Sequence, residues 1–264
     1  MSASNIKTYS RVVLTVESGV GQILLNRPEK RNALDRTMVE ELYASLKECG
    51  EDESVRSIVI SGAGTVFCAG ADLAYLRELS SYSITENMED SAALARTLQA
   101  IWESPKPVIA RVHGHAIAGG CGLATVCDVV VAVESAKFGY TEVGIGFVPA
   151  IVMAFLLRKS PQMLTRELLL SGRIVSGAEA YRRGLITTLV SSEEELDCEI
   201  ESLTTAFGKA DPTAVRLTKE MMGAMDGMSL QAALDYASRM NAAARMTPGC
   251  QAGIQRFLEK AETT

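Results

Sequence analysis

Two stretches rich in glycine and alanine carry the residues best suited to chemistry in this sequence. They are residues 67–73 (FCAGADL) and residues 115–123 (HAIAGGCGL). Each follows an apolar, β-branched run that predicts a strand, at 57–60 and 107–112, and each runs into a helical pattern. A small-residue turn at a helix start lets a ligand approach unpaired backbone N–H groups. Two such turns facing one point would hold a negatively charged oxygen, as the stabilisation of an oxyanion or enolate requires.

A carboxylate follows the second stretch. Glu142 lies in a segment at 138–146 that predicts a loop, flanked by Gly139, Gly144 and Gly146 and beside two aromatic residues. Apolar surroundings raise the pKa of a carboxyl group, which can then act as a general acid or base near neutral pH. The sequence therefore predicts a proton-transferring group at Glu142.

Other reactive side chains are interpreted as structural. His113 and His115 are the only histidines, and no carboxylate or thiolate ligand set accompanies them, so we interpret them as lining a pocket wall and expect no metal. Cys121 is interpreted as a small residue of a packed helix, and Asp128 as an acceptor for nearby backbone N–H groups. The segment 61–67 lacks the third glycine of a dinucleotide fingerprint, and neither a P-loop nor a G-x-S-x-G sequence occurs.

Composition limits the class of protein. The 264 residues are 47% hydrophobic, which suits one large α/β domain or one domain with a helical appendage. The net charge is −6 and no basic stripe occurs, so nucleic acid is not an expected partner. The most apolar segment, 116–133, is interrupted by Asp128 and glycines, so no membrane span is expected, and no signal peptide is recognised. The six cysteines include no C-x-x-C pair, which predicts reduced thiols and a cytoplasmic compartment.

Strands and helices alternate over the first 190 residues. A β-hairpin is predicted at 11–17 and 20–26, and Asp35 is predicted to cap a helix. A further helix is predicted from about residue 90 to 102, and 79–88 is expected to be mobile or ligand-facing. Further predictions are a strand at 129–133 and a helix that starts at Pro149.

The pattern changes near residue 190. Ser192 opens a capping-box sequence, and from there to residue 260 the apolar spacing is helical throughout. We therefore divide the chain into an α/β core at 1–190 and a helical region at 191–264. No internal repeat is detected in the sequence.

In order and spacing, the motifs resemble those of the crotonase superfamily, the enoyl-CoA hydratase/isomerase family. The resemblance rests on residues 25–34 (LNRPEKRNAL), 69–72 (AGAD), 119–121 (GGC), 138–143 (FGYTEV) and 257–260 (FLEK), and so covers nearly the whole chain. It implies an α/β fold in which a crotonase-like spiral of ββα units binds acyl-CoA. It also implies that 191–264 is a helical trimerisation region, in a homotrimer or a dimer of trimers.

The resemblance also assigns site residues. The N–H groups of Ala71 and Gly119 would form the oxyanion hole for a thioester carbonyl, and Glu142 matches the second catalytic glutamate of the family. The residues implied to lie along coenzyme A are Lys30, Arg31, Ala33 and Ala69, completed by Phe257 and Lys260, in this family often from a neighbouring subunit. Acyl-CoA is then the substrate, and no separate cofactor is expected because coenzyme A is part of it.

One position departs from the family pattern. Typical hydratases carry a glutamate where this chain has Gly122, so the pair of carboxylates that holds the attacking water is reduced to Glu142. The first hypothesis is a hydratase that adds water to a 2-enoyl-CoA, on a branched or glutaconyl-type chain. The second is a Δ3,Δ2-enoyl-CoA isomerase, for which one carboxylate suffices. The third is an acyl-CoA-binding scaffold with little turnover.

Overall fold

The protein is described by a computed structural model that covers residues 5–262, without the side chains of Lys260 and Glu262. The strands are β1 (Asn5–Thr8), β2 (Val12–Glu17), β3 (Val20–Leu25), β4 (Ser57–Gly62), β5 (Val66–Cys68), β6 (Val108–Val112), β7 (His115–Ile117), β8 (Val129–Val133), β9 (Lys137–Gly139), β10 (Ile174–Ser176) and β11 (Thr188–Val190). The helices are α1 (Arg36–Glu51), α2 (Leu73–Leu79), α3 (Ile84–Trp102), α4 (Gly119–Val126), α5 (Ala150–Lys159), α6 (Gln162–Ser171), α7 (Gly177–Arg182), α8 (Glu193–Lys209), α9 (Pro212–Ala224), α10 (Leu230–Arg245) and α11 (Pro248–Glu262).

The strands form two sheets. The larger has the order β1-β2-β3-β4-β6-β8-β11, antiparallel across β1, β2 and β3 and parallel from β3 onward. The smaller has the order β10-β9-β7-β5, with β9, β7 and β5 parallel. Successive chain segments therefore contribute one strand to each sheet and then a helix, which is the ββα repeat expected from the resemblance.

The second strand of each repeat was not predicted. The sequence analysis assigned 67–73 and 115–123 to turns, and 138–146 to a loop, but β5, β7 and β9 have three residues each. Strands this short show no measurable alternation of apolar and polar residues, so periodicity cannot detect them. For the same reason the sequence analysis found no repeat.

The start of α3 is a correction. A helix from about residue 90 was expected after a mobile segment at 79–88, but α3 begins at Ile84. Ser83 and Glu86 form a full capping box, in which each side chain accepts the other residue's backbone N–H. The polar composition of this turn reflects a solvent-facing helix start.

The predicted hairpin and first helix are confirmed. Strands β2 and β3 pair antiparallel around Ser18 and Gly19, and the Asp35 side chain accepts a hydrogen bond of 2.8 Å from the Met38 N–H. The helix α1 then packs its apolar side on the sheet, burying residues that include Met38 and Leu42. This packing fixes the loop that precedes α1, which carries part of the site.

The helical character beyond residue 190 is also confirmed, by α8 to α11. Helix α9 is attached to the core by Lys219, whose Nζ lies 2.6 Å from Asp128 Oδ2 and 3.0 Å from the Lys106 carbonyl oxygen. The Val108 N–H donates to the same Asp128 oxygen, as expected for that residue. Neither α9 nor α10 buries a residue within the single chain. Among residues 5–262, no helix is both long and apolar enough to cross a membrane.

Candidate active site

The first glycine turn is held by the loop that precedes α1. The Leu34 N–H donates to the Gly70 carbonyl oxygen at 2.7 Å, and the Asp72 N–H donates to the Leu34 carbonyl oxygen at 2.9 Å. This is a parallel bridge between Leu34 and Ala71. In such a bridge the middle residue directs its own N–H and C=O away from the partner strand. Ala71 is exposed, and its N–H donates to no acceptor within the described chain.

An ion-pair cluster fixes the end of this turn. Arg27 Nη1 lies 2.8 Å from Asp72 Oδ2 and 2.9 Å from Asp35 Oδ2. Asp72 is the N-cap of α2, as Asp35 is of α1. Burial disfavours ionisation of Asp72, but hydrogen bonds from the N–H groups of Tyr75 and Ala74 and the charge of Arg27 hold its pKa below the usual value. One guanidinium therefore joins the starts of two helices.

Asn32 connects the same loop to the segment between β4 and β5. Its Oδ1 accepts from the Arg27 N–H at 3.0 Å, and its Nδ2 donates to the carbonyl oxygens of Ala63 and Val66, both at 2.8 Å. The residue is fully buried and has a φ of 54°, in the left-handed region that asparagine tolerates better than most residues. The loop at 27–34 is therefore anchored on both sides of the turn.

The second glycine turn begins α4. Gly119 is the first residue of the helix, so its N–H has no partner four residues earlier in the helix. Ala118, the N-cap, has φ 50° and ψ −127°, a strained conformation for a residue with a side chain, and its N–H donates to the Gly139 carbonyl oxygen at 2.7 Å. Gly120 permits the close approach of β5, because a β-carbon there would lie 2.3 Å from the Cys68 carbonyl oxygen. Strained backbone at a helix start is typical of functional sites.

The two turns meet. A β-carbon built on Gly70 would lie 3.5 Å from the Gly119 nitrogen, and one built on Gly119 would lie 3.3 Å from Leu34 Cδ1. Leu34 is the residue bridged to Ala71. Ala71 and Gly119 thus belong to adjoining turns, and solvent reaches both residues, since Ala71 is exposed and Gly119 half-buried.

Glu142 begins a 3-10 turn, Glu142–Ile145, rather than lying in an irregular loop. Its Oε2 atom is buried and accepts no hydrogen bond from any described residue. Burial raises the pKa of this carboxyl group. The negative charge of Glu142 also contributes to the raised pKa values of Cys121, about 12, and of Tyr140, although burial is the main cause for both. These two neighbours therefore stay neutral, and Glu142 is the group placed to exchange a proton.

There is no room for a side chain at Gly122, the position where typical hydratases carry a glutamate. A β-carbon at Gly122 would lie 2.1 Å from Val152 Cγ1 and 2.8 Å from Val152 Cβ. Val152 comes from α5, and its side chain is 5% exposed. The space in which a side chain at 122 would begin is therefore occupied by an aliphatic group.

The residues expected along coenzyme A fall into two places. Ala33 is buried, Ala69 donates its N–H to the Arg31 carbonyl oxygen at 3.1 Å, and Lys30 and Arg31 are exposed on the same loop. Phe257 lies on α11 in the helical region, with its side chain 73% exposed. The Lys260 side chain lies outside the described part of the structure.

Other side chains are accounted for within the fold. His113 is buried, with Nε2 2.9 Å from the Gly64 carbonyl oxygen, whereas His115 is exposed and does not line an interior wall. All six cysteines are free thiols, and four of them are buried. In residues 5–262, no group of three or more His, Cys, Asp or Glu side chains is arranged to hold a metal ion.

Sequence reasoning missed three residues of this region. Arg27 and Asn32 lie in the motif at 25–34, but no role was predicted for either, although an asparagine shortly before a helix cap is a common loop anchor. Val152 gave no signal, because its contact with Gly122 depends on how α4 and α5 cross.

These features, two sheets built from ββα repeats, two adjoining glycine turns and the partly buried carboxylate of Glu142, define a class of protein, and comparisons with known proteins agree. The family model for enoyl-CoA hydratase/isomerase matches residues 15–264. A relative from Thermus thermophilus is 40% identical over 249 residues, 94% of this chain and 98% of its own. The crotonyl-CoA hydratase of Syntrophomonas wolfei is 33% identical over 261 residues, 96% of each chain.

Solved structures give the same result. The crystal structure of an enoyl-CoA hydratase from Mycobacterium smegmatis superposes with a TM-score of 0.90 at 32% identity, covering 96% of this chain and 97% of that one. The chain belongs to the enoyl-CoA hydratase/isomerase family.

Proposed function

We propose that this protein is an enoyl-CoA hydratase that adds water to a 2-enoyl-CoA thioester, with Glu142 as its proton-transferring group. The observation that carries the proposal is the buried, unpartnered Oε2 atom of Glu142. A carboxyl group with a raised pKa is matched to proton transfer near neutral pH. A position near the Gly119 turn is supported by the electrostatic effect of Glu142 on Cys121, in the first turn of α4, and by the hydrogen bond from the Ala118 N–H to the Gly139 carbonyl oxygen.

The thioester carbonyl accepts hydrogen bonds from the N–H groups of Ala71 and Gly119. Attack of water on the β-carbon moves charge onto that oxygen, and each donor stabilises the resulting enolate by roughly 3–4 kcal/mol. Glu142 removes a proton from the attacking water and returns one to the α-carbon. Lys30, Arg31, Ala33 and Ala69 hold the coenzyme A portion, which belongs to the substrate, and no further cofactor takes part.

The Gly122–Val152 contact favours a second candidate. With the position at 122 closed, no second carboxylate shares the water, and isomerisation of a 3-enoyl-CoA needs only one proton shuttle. In that reaction Glu142 moves a proton from C2 to C4, and the double bond moves from C3–C4 to C2–C3. The crotonyl-CoA hydratase among the relatives supports hydration as the first candidate.

The acyl chain and the assembly are further parts of the proposal. We assign a branched or glutaconyl-type chain on the basis of the family resemblance, and the exposed apolar side chains of Phe147 and Val148, 52% and 63% exposed in the loop after Glu142, are available to contact it. The helices α9 and α10, without a buried residue of their own, are assigned to contacts within a homotrimer or a dimer of trimers. The free thiols support a cytoplasmic compartment.

The test uses purified protein with crotonyl-CoA, a glutaconyl-type enoyl-CoA and a 3-enoyl-CoA, followed by the absorbance of the conjugated thioester. Hydration removes this absorbance from a 2-enoyl substrate, whereas isomerisation creates it from a 3-enoyl substrate. Turnover of the 3-enoyl substrate alone would overturn the hydratase proposal in favour of the isomerase.

A variant separates catalysis from binding. Glu142→Gln should lower turnover by about 10²-fold or more, the size of a lost general acid or base. A scaffold would bind acyl-CoA and show the same negligible turnover before and after the substitution. Unchanged, substantial activity would remove Glu142 from the mechanism.

A further inference from the structure

Three basic side chains converge on the outer face of the smaller sheet. Within β7 and β9, Ala116 pairs with Phe138, and both are buried. His115 and Lys137 stand one residue before this pair, so they lie side by side on the opposite face, and both are exposed. Arg31 lies next to the end of β5, because its own carbonyl oxygen accepts a hydrogen bond from the N–H of Ala69, one residue beyond that strand.

We call Arg31, His115 and Lys137 the basic row. No acidic residue stands beside His115 or Lys137 on the neighbouring strands. By strand register His115 is flanked by Val66 of β5, and Lys137 by Ser176 of β10, neither of which is charged. Arg31, His115 and Lys137 take part in no ion pair with any other residue that the structure describes.

Lys137 and Arg31 are both close enough to His115 to repel its protonated form. The pKa of His115 lies below its usual value, first through burial and then through the positive charges of Lys137 and Arg31. A bound anion would relieve this repulsion and favour the protonated imidazole.

The basic row also lies within reach of a ligand that is bound at the two glycine turns. Strand β7 runs from His115 to the turn that begins α4, and Gly119 is four residues further on, a distance of about 13 Å at the rise of a strand. Arg31 is tied to the residue before Gly70, at the end of β5. A ligand with a reactive group at the turns and a phosphorylated arm would therefore reach this row.

We infer that Arg31, His115 and Lys137 form a phosphate-binding site that holds a phosphoryl group on the nucleotide arm of the substrate. The assignment rests on the proposed function, and it adds His115 and Lys137 as residues that select the phosphorylated thioester over a truncated one. The phosphoryl group is either the diphosphate or the ribose phosphate of coenzyme A.

The experiment compares His115→Gln, Lys137→Met and the double variant with the parent protein, with Lys47→Met as a matched control. Lys47 is an exposed lysine of α1, paired with Glu51. The specificity constant is measured for crotonyl-CoA, crotonyl-dephospho-CoA and crotonyl-pantetheine. Each single substitution should lower the ratio of the CoA value to the pantetheine value by about 3- to 5-fold, as expected for an exposed charge.

The three substrates separate the possible sources. A loss seen with crotonyl-CoA but not with crotonyl-dephospho-CoA assigns the row to the ribose phosphate, whereas an equal loss with both assigns it to the diphosphate. An equal loss with crotonyl-pantetheine, no loss at all, or the same loss in Lys47→Met would overturn the site. If the parent protein turns over none of these thioesters, the proposed function fails, and calorimetric titration with coenzyme A and dephospho-CoA still tests the phosphate site.

Discussion

The contact between Gly122 of α4 and Val152 of α5 gives the sharpest prediction. A β-carbon at 122 would lie 2.1 Å from Val152 Cγ1 and 2.8 Å from Val152 Cβ, whereas ordinary contact begins at 3.4 Å. Rotation of the Val152 side chain moves only its Cγ atoms, so the contact with Cβ still forces the two helices apart. Gly122 is buried and Val152 is 5% exposed, so neither can turn into solvent. We expect Gly122→Ala to lower the free energy of unfolding by about 1–3 kcal/mol, the cost of an overpacked core.

The assay is a double-mutant cycle followed by urea unfolding. Val152→Ala alone should cost roughly 1.5–3 kcal/mol, through two lost methyl groups and the cavity they leave. In the double variant the methyl group added at position 122 occupies that cavity, so the combined cost should fall below the sum of the single costs by about 1–2 kcal/mol.

A matched control is available in α8. A β-carbon at Gly208 would meet nothing within 4 Å, so Gly208→Ala should be neutral or stabilise the helix by up to about 1 kcal/mol. Additive costs in the cycle, or a Gly122→Ala variant as stable as Gly208→Ala, would show that Val152 does not close the position.

Three other perturbations test the site and its supports. Because burial raises the pKa of Glu142, the folded state favours the protonated form, and stability falls as pH rises above the unfolded pKa. Glu142→Gln should therefore raise the melting temperature at pH 8 but not at pH 4, and equal shifts at both would contradict the burial argument. Arg27→Met removes the cation that Asp35 and Asp72 share, and although Asp35 keeps Arg11 at 3.3 Å, the buried Asp72 loses its ion pair, so the substitution should cost about 3–5 kcal/mol in urea unfolding, with Arg36→Met, on the exposed side of α1, as the neutral comparison. Lys219→Met should increase amide hydrogen exchange in α9, because the helix loses its bonds to Asp128 and Lys106, and unchanged exchange would mean that other contacts hold α9.

The sequence predicted the parts of the fold that rest on local signals. Asp35 predicts the start of α1, because a capping side chain bonds to the backbone of the turn that follows it. The hairpin around Gly19 is likewise determined by adjacent residues. The strands β5, β7 and β9 escaped prediction because three residues carry no period, and they become strands only through neighbours distant in the chain.

For the site, the small residues predicted where a ligand could approach the backbone. A proton-transferring role was predicted for Glu142 from the residues around it. The direction of the Ala71 N–H could not be predicted, since it follows from the bridge to Leu34, 37 positions earlier. The closed position at Gly122 depends on the crossing of two helices, which no spacing within either helix encodes. Local chemistry is thus visible in the sequence, whereas its orientation is set by tertiary contacts.

The guanidinium of Arg27 couples the loop at 27–34 mechanically to the turn at Ala71. It stands between the caps of α1 and α2 and in the loop that carries Lys30 and Arg31, so a shift of that loop is transmitted to the residue after Ala71. A nucleotide arm that settles on the loop would tighten the grip on the reacting carbonyl. The distal, chemically inert half of such a substrate would then contribute to the rate of its reaction as well as to its affinity.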